Sequence, residues 1–159
     1  MIKAAFFDMD GTLSIPIYPV GERYQPCMTD EQWRNFNEKY NVESYSWCKP
    51  VLFVKRYAEK LKAEGVKLYV LTGVHTDYEV MGKKSFLEKY YPGFFEELVP
   101  VHCDAQKVPY MQNYCSQNGL KYSECELIED TFKNVIEAMC TGFEAKHVTN
   151  ILDEMGANI

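Results

Sequence analysis

Residues 3–13 read Lys3-Ala4-Ala5-Phe6-Phe7-Asp8-Met9-Asp10-Gly11-Thr12-Leu13. A short apolar run that stops at two acids and a glycine has the form of a buried strand leading into a tight turn. Its apolar part ends after Phe7, too short and followed by too much acid for a signal peptide or a membrane span. Further strand-like runs are predicted at 67–71, 98–101, 126–128 and 145–148. Helix-length amphipathic segments lie between them at 51–64, 78–90, 108–117 and 131–139. This alternation predicts an α/β protein with a parallel sheet flanked by helices on both faces. Pro50 is expected to open the first of those helices, Gly65 to stop it, and Asn118-Gly119 to stop the third.

One stretch breaks the alternation. Residues 14–49 hold no clean strand. Pro16, Pro19, Gly21 and Pro26 suggest an irregular loop, and 29–40 a helix capped by Thr29 or Asp30. The expectation is one domain over 1–159, with a small, mostly helical insertion at 14–49. Its aromatics, Tyr18, Tyr24, Trp33, Phe36, Tyr40, Tyr45 and Trp47, are expected to form the insertion's own small core, the alternative being a stacking surface for a base or sugar.

The 159 residues carry 17 Lys and Arg against 23 Asp and Glu, a net charge of −6, with 47% hydrophobic residues. That balance disfavours a nucleic-acid polymer as partner, since an acidic chain gains nothing from counterion release. The mean hydropathy of −0.34 and the absence of a long apolar run argue against a membrane. The six cysteines show no C-x-x-C pair and are expected as reduced, mostly buried thiols in a cytoplasmic protein, Cys103 included. His75, His102 and His147 have no ligand spacing and are expected to be structural or at the surface, with only His75 near a motif.

In an open α/β sheet, ligands bind outside the carboxyl ends of the strands. The polar residues at those ends are Asp8 and Asp10, then Thr72 and Gly73, then Glu129 and Asp130, with Lys107 opening a helix. Carboxylates brought together repel one another unless a cation lies between them, and oxygen donors of this kind suit Mg²⁺. A carboxylate can attack phosphorus, and a hydroxyl and an ammonium can hold the phosphoryl oxygens. Lys83 and Lys84, in the middle of a predicted helix, point less directly at the strand ends than Lys107 does. These groups taken singly also read as turn, N-cap and solvated residues.

Asp8-Met9-Asp10-Gly11-Thr12-Leu13 resembles the first motif of the haloacid dehalogenase superfamily, in its phosphatase branch. Val70-Leu71-Thr72-Gly73 resembles the second motif, Lys107 suits the third, and Leu127-Ile128-Glu129-Asp130 suits the fourth. The order is the family's, and the motifs span most of the chain. The stretch from Lys84 to Phe94, followed by Val99 and Lys107, is similar to the 5′(3′)-deoxyribonucleotidases, although Thr12 stands where that family carries valine.

The resemblance implies a Rossmann-like core with a cap inserted after the first strand, and a Mg²⁺-dependent phosphomonoester hydrolase. Asp8 would be the nucleophile and Asp10 the acid and base. Thr72, Gly73 and Lys107 would hold the phosphoryl group. Asp8, the Asp10 carbonyl, Asp130 and, directly or through water, Glu129 would hold the metal. The partner would be a small phosphorylated metabolite, a nucleoside monophosphate or alternatively a sugar phosphate. A homo-oligomer whose second subunit covers the site is left open. A receiver-like phosphoacceptor domain is the rival from another class, but receivers carry the acceptor on the third strand and lack an acid two positions beyond it.

Overall fold

The computed structural model describes residues 1–154. Its main sheet has five parallel strands: β1 (Ala4–Phe7), β6 (Lys67–Gly73), β7 (Glu97–Val101), β8 (Cys125–Glu129) and β9 (Glu144–His147). The spatial order is β7-β6-β1-β8-β9. The chain thus builds outward from β1 on one side and then reverses to the other. Such a reversal opens a crevice at the carboxyl ends of the central strands.

The sequence dictates the layering through its period of two. Every residue of β1 is fully buried, as expected for a central strand covered on both faces. Ala5 and Phe7 join a core with Val54, Ala58 and Leu61 of α2 (Leu52–Ala63) and Phe86 of α3 (Asp77–Tyr90). Ala4 and Phe6 face the other way, onto Val108, Met111 and Cys115 of α4 (Lys107–Asn118) and Ala138 of α5 (Phe132–Thr141). A short α6 (Ile151–Glu154) packs Ile151 into the first core.

The insertion is less helical than its sequence suggests. It contains α1 (Asp30–Tyr40), closed at its start by a capping box in which Thr29 and Gln32 satisfy each other's backbone N–H. It also contains a hairpin of β3 (Tyr18–Val20) and β4 (Arg23–Gln25). A second antiparallel pair, β2 (Ser14–Ile15) with β5 (Lys49–Pro50), ties its two ends together. The expectation of no strand here fails because the paired segments are only two or three residues long, too short for an alternating pattern. Pro50 lies in β5, so the helix opens at Leu52 after Val51.

Most insertion aromatics pack on one another, yet they do not form the separate core expected: Tyr18, Phe36 and Tyr45 share one cluster with Ala5, Phe7 and Phe86, and Trp33, Tyr40 and Trp47 pack against it. Tyr18 packs edge-on against Trp33 at 5.1 Å and Phe36 at 5.6 Å between ring centroids. Tyr24 is the exception and is exposed. Three cysteines, Cys48, Cys115 and Cys125, are buried; Cys27, Cys140 and, against expectation, Cys103 are exposed. No helix among the described residues is long and apolar enough to cross a membrane.

Candidate active site

The backbone beyond β1 sets the site. Asp8 N–H donates to the Ile128 carbonyl at 2.9 Å, so Asp8 still belongs to the ladder. The chain then winds around the Met9 carbonyl, which accepts from the N–H groups of Thr12, Leu13 and Ser14. This turn presents Asp8 and Asp10 on the crevice side while Met9 is fully buried. Gly11 makes the turn with φ of +85°, and a Cβ there would stand 2.2 Å from Asp130 Oδ2. Only glycine allows both that backbone angle and that approach.

Asp8, Asp10, Thr72, Gly73, Lys107, Glu129 and Asp130, the residues singled out from the sequence, all line one open cleft of about 420 Å³. Lys107, the first residue of α4, is almost wholly buried. Its ammonium reaches Asp8 Oδ1 at 2.8 Å, Glu129 Oε2 at 2.7 Å and Asp104 Oδ1 at 3.1 Å. Glu129 is committed on its other oxygen as well, since Oε1 accepts from the N–H groups of Asp130 and Thr131 at 3.2 Å each.

The charges are held against burial. Burial pushes the Asp8 carboxyl up to about 7, with Glu129 and Asp10 adding to the rise and Lys107 opposing it. Burial likewise raises Glu129 against the pull of Lys107, and raises Asp130 with help from Asp8. Burial works to lower Lys107, yet Asp8 and Glu129 outweigh it and keep its ammonium well above the ordinary lysine range. Carboxylate oxygens of Asp8, Glu129 and Asp130 lie within 4.8 Å of one another. Two buried carboxylates and a half-buried one that resist ionisation beside one another fit a divalent cation of the Mg²⁺ type.

The sequence reading missed a second cation. Lys83, in the middle of α3, is fully buried and points into the site. Its Nζ lies 2.7 Å from Thr72 Oγ1, 2.6 Å from the Gly73 carbonyl, 3.0 Å from Asp10 Oδ2 and 3.2 Å from Glu79 Oε1. Thr72 therefore meets Lys83 and not a free space. Asp10 also accepts from Tyr18 OH at 3.2 Å on Oδ1 and Tyr45 OH at 3.0 Å on Oδ2. Glu79 in turn accepts from Trp33 Nε1 at 3.2 Å and from His75 N–H at 2.9 Å. The sequence held one signal for Lys83, its pairing with Glu79 four residues earlier beside Gly82; in the structure these three lie with Phe86 and Leu87 on the inward stripe of α3. Of the histidines, His75 lines the cleft and His147 Nε2 bonds the Asp130 carbonyl at 2.8 Å.

No protein-family model and no curated protein matches the chain. Solved structures do. A haloacid dehalogenase-like family hydrolase from Streptococcus pneumoniae is 18% identical, with 99% of this chain and 92% of that one covered and a TM-score of 0.61. A haloacid dehalogenase family enzyme from Bacteroides thetaiotaomicron, in complex with magnesium and inorganic phosphate, is 14% identical over 92% of this chain and 94% of that one, TM-score 0.56. The 3-deoxy-D-manno-octulosonate 8-phosphate phosphatase from Moraxella catarrhalis, with magnesium, phosphate and KDO, is 17% identical over 86% and 62%, TM-score 0.50. The fold is therefore that of the haloacid dehalogenase-like hydrolases.

Proposed function

We propose that the protein is a Mg²⁺-dependent phosphomonoester hydrolase of the haloacid dehalogenase type, one domain whose residues 14–49 form a small cap. One observation carries this: Asp8 and Asp10 flank a single turn at the end of the central strand, with Lys107 bridging Asp8 to Glu129 and Asp130 beside them. The solved structures of like fold, among them a phosphatase and a family enzyme each in complex with magnesium and phosphate, support the same reading.

In this reading an Asp8 carboxylate oxygen attacks the substrate phosphorus. The bond from phosphorus to the leaving oxygen breaks, and Asp10 gives that oxygen its proton, releasing an alcohol. Water then attacks the phosphorus of the aspartyl-phosphate and passes a proton to Asp10. Inorganic phosphate leaves and Asp8 is restored. Lys107 holds Asp8 in place and offsets charge on the phosphoryl oxygens. The backbone N–H at Gly73 is a further phosphoryl contact in this reading, and Thr72, whose hydroxyl accepts from Lys83, lines the cleft beside it.

Asp8, Asp130 and the Asp10 carbonyl would hold the metal, while Glu129, both of whose oxygens have partners, would act from behind through Lys107 and metal-bound water. When bound, Mg²⁺ supplies the positive charge that offsets repulsion between Asp8 and an anionic phosphate.

The substrate in this reading is a small phosphate ester, with a deoxynucleoside monophosphate as first choice from the resemblance at Lys84–Phe94 and a sugar phosphate as second. A cleft of about 420 Å³ with Trp33 and Tyr18 on one wall suits either. Purified protein with Mg²⁺ should hydrolyse p-nitrophenyl phosphate, and a chelator should stop it. A panel of dUMP, dTMP, purine monophosphates and sugar phosphates then decides the leaving group. Activity on sugar phosphates alone would remove the nucleotide assignment and leave the reaction class standing. A phosphoprotein that decays over hours would instead favour the receiver-like alternative.

A further inference from the structure

Asp10 is a place where the insertion and the sheet core meet through charge. Its side chain is about a third exposed to the cleft, and an aspartate so placed ordinarily samples several rotamers. Here donors from three separate elements converge on it. Tyr18 arrives from β3, Tyr45 from the segment between α1 and β5, and Lys83 from α3. All three donors are buried, Tyr18 at 4%, Tyr45 at 2% and Lys83 at 0% exposure. A buried hydroxyl needs an acceptor, and the carboxylate that both phenols reach is Asp10.

We propose that Tyr18, Tyr45 and Lys83 form a three-point clamp that fixes the Asp10 carboxylate for proton transfer to the leaving oxygen, so that the insertion serves the acid–base step. This rests on the hydrolase reading. The three are positioning residues, acting through Asp10 and not on substrate.

The clamp is itself rigid. The Lys83 ammonium lies 5.7 Å from the centroid of the Tyr45 ring. Tyr18 and Tyr45 are edge to face at 6.3 Å. Lys83 also grips Thr72 Oγ1 and the Gly73 carbonyl, so the same ammonium sets the separation between Asp10 and the opposite side of the cleft. Glu79 completes the frame by joining Lys83 to Trp33 of α1. Burial, reinforced by the charge of Asp10, pushes both phenols above the ordinary tyrosine range, which keeps them protonated and therefore donors.

The two oxygens of Asp10 are not equivalent. Oδ2 receives Tyr45 and Lys83 at 3.0 Å each, whereas Oδ1 receives only Tyr18 at 3.2 Å. The transferred proton belongs on Oδ1, with Oδ2 as the anchored end. As the phosphorus–oxygen bond breaks, the Oδ1 proton moves to the departing alkoxide, and the water that attacks next returns one.

The test uses leaving groups. An aryl phosphate releases a phenolate that needs little protonation, whereas an alkyl phosphate releases an alkoxide that needs it fully. Tyr45→Phe and Tyr18→Phe, each checked for an intact melting transition, should lower the single-turnover rate of alcohol release from an alkyl phosphate by roughly 10- to 100-fold. For phenol release from p-nitrophenyl phosphate the loss in that first step should be no more than about threefold, with the half-saturating concentration nearly unchanged on both, and Asp10→Asn should show the same selectivity more strongly. Calorimetric Mg²⁺ affinity should stay as in the wild type. Equal losses of the first-step rate on the two esters, or a changed half-saturating concentration with that rate unchanged, would overturn the clamp. If Asp8→Asn retains its rate, the hydrolase reading fails and the clamp falls with it. If Asp8→Asn is dead while both phenylalanine variants keep the wild-type ratio of rates, only the clamp is lost. Independently of turnover, the Asp10 carboxyl carbon should give one sharp NMR signal in the wild type and a broadened or split one in the double Tyr→Phe variant. An unchanged signal would also count against the proposal.

Discussion

Two buried lysines stand on opposite sides of the turn that carries Asp8 and Asp10, and they are there for different reasons. Lys107 opens α4 and gathers Asp8, Glu129 and Asp104 within 3.1 Å. It belongs to the sheet core, and two of its partners, Asp8 and Glu129, belong to the proposed metal site. Lys83 sits on the inward stripe of α3 and joins Asp10 and Glu79 to the end of β6. Its neighbours Tyr45 and Trp33 come from the insertion. In the proposed reading one lysine serves attack at phosphorus and the other secures the proton donor. A buried ammonium is retained at each because removing it strands paired carboxylates in a low-dielectric site.

The largest way to break this comparison is to remove each charge. Lys107→Met and Lys83→Met should each cost about 3–5 kcal/mol of stability in denaturant titration, because carboxylates are left buried without a counter-charge. The two should then part company. Added Mg²⁺ should recover some of the loss in Lys107→Met, where the proposed metal site shares the stranded carboxylates Asp8 and Glu129. It should recover little in Lys83→Met, whose stranded partner Glu79 lies outside that site. Equal recovery in both would erase the distinction.

A change at the seam between the insertion and the core comes next. A Cβ on Gly82 would stand 2.7 Å from Ser44 Oγ and 3.1 Å from a Tyr45 ring carbon. Gly82→Ala should therefore destabilise by roughly 1–3 kcal/mol, and its activity loss should be greater on alkyl than on aryl phosphates, because Tyr45 must shift.

The Lys107 side also has a pH signature. Asp8 is raised from 3.8 to about 7 in the folded chain by burial, so its protonated form is favoured there relative to the unfolded chain. The stability this brings is complete below the ordinary carboxylate range and is lost as pH rises through about 7. Glu129 and Asp130 are raised in the same sense. Melting of Mg²⁺-free protein should fall across that interval, and saturating Mg²⁺ should flatten the slope.

The smallest effect concerns Thr12, fully buried with no hydrogen-bond partner for its hydroxyl among the described residues. Thr12→Val should stabilise by about 0.5–1 kcal/mol and leave the leaving-group selectivity alone.

The same contrast explains what could be read from the sequence. The Lys107 side was legible, except for Asp104 in the turn before α4, because Asp8, Glu129, Asp130 and Lys107 sit where a strand ends or a helix begins, and those boundaries follow from apolar runs and stop signals. The five strands and the order of the motifs lay within a residue or two of the structure for that reason. The Lys83 side was not legible by the same means. Charged Glu79 and Lys83 occupy two inward positions of α3, so a pattern built on apolar residues assigns them to solvent. Only the pairing of Glu79 with Lys83 four residues on, next to a glycine within the helix, hinted otherwise. The phenols that meet Asp10 come from a hairpin strand and a loop, where no periodicity exists to fix their direction. Exposed Cys103 escaped for a similar reason, since it lies in the turn beyond β7 where burial does not follow from the strand pattern.

The central claim is that Asp8 carries the phosphoryl group. Hydrolysis of p-nitrophenyl phosphate by Asp8→Asn with saturating Mg²⁺ tests it most directly, since asparagine keeps the shape of the side chain and removes the nucleophilic oxyanion. The account predicts loss of turnover by at least about 10³-fold in a protein that melts as a folded chain. A variant that turns over at the wild-type rate would contradict it.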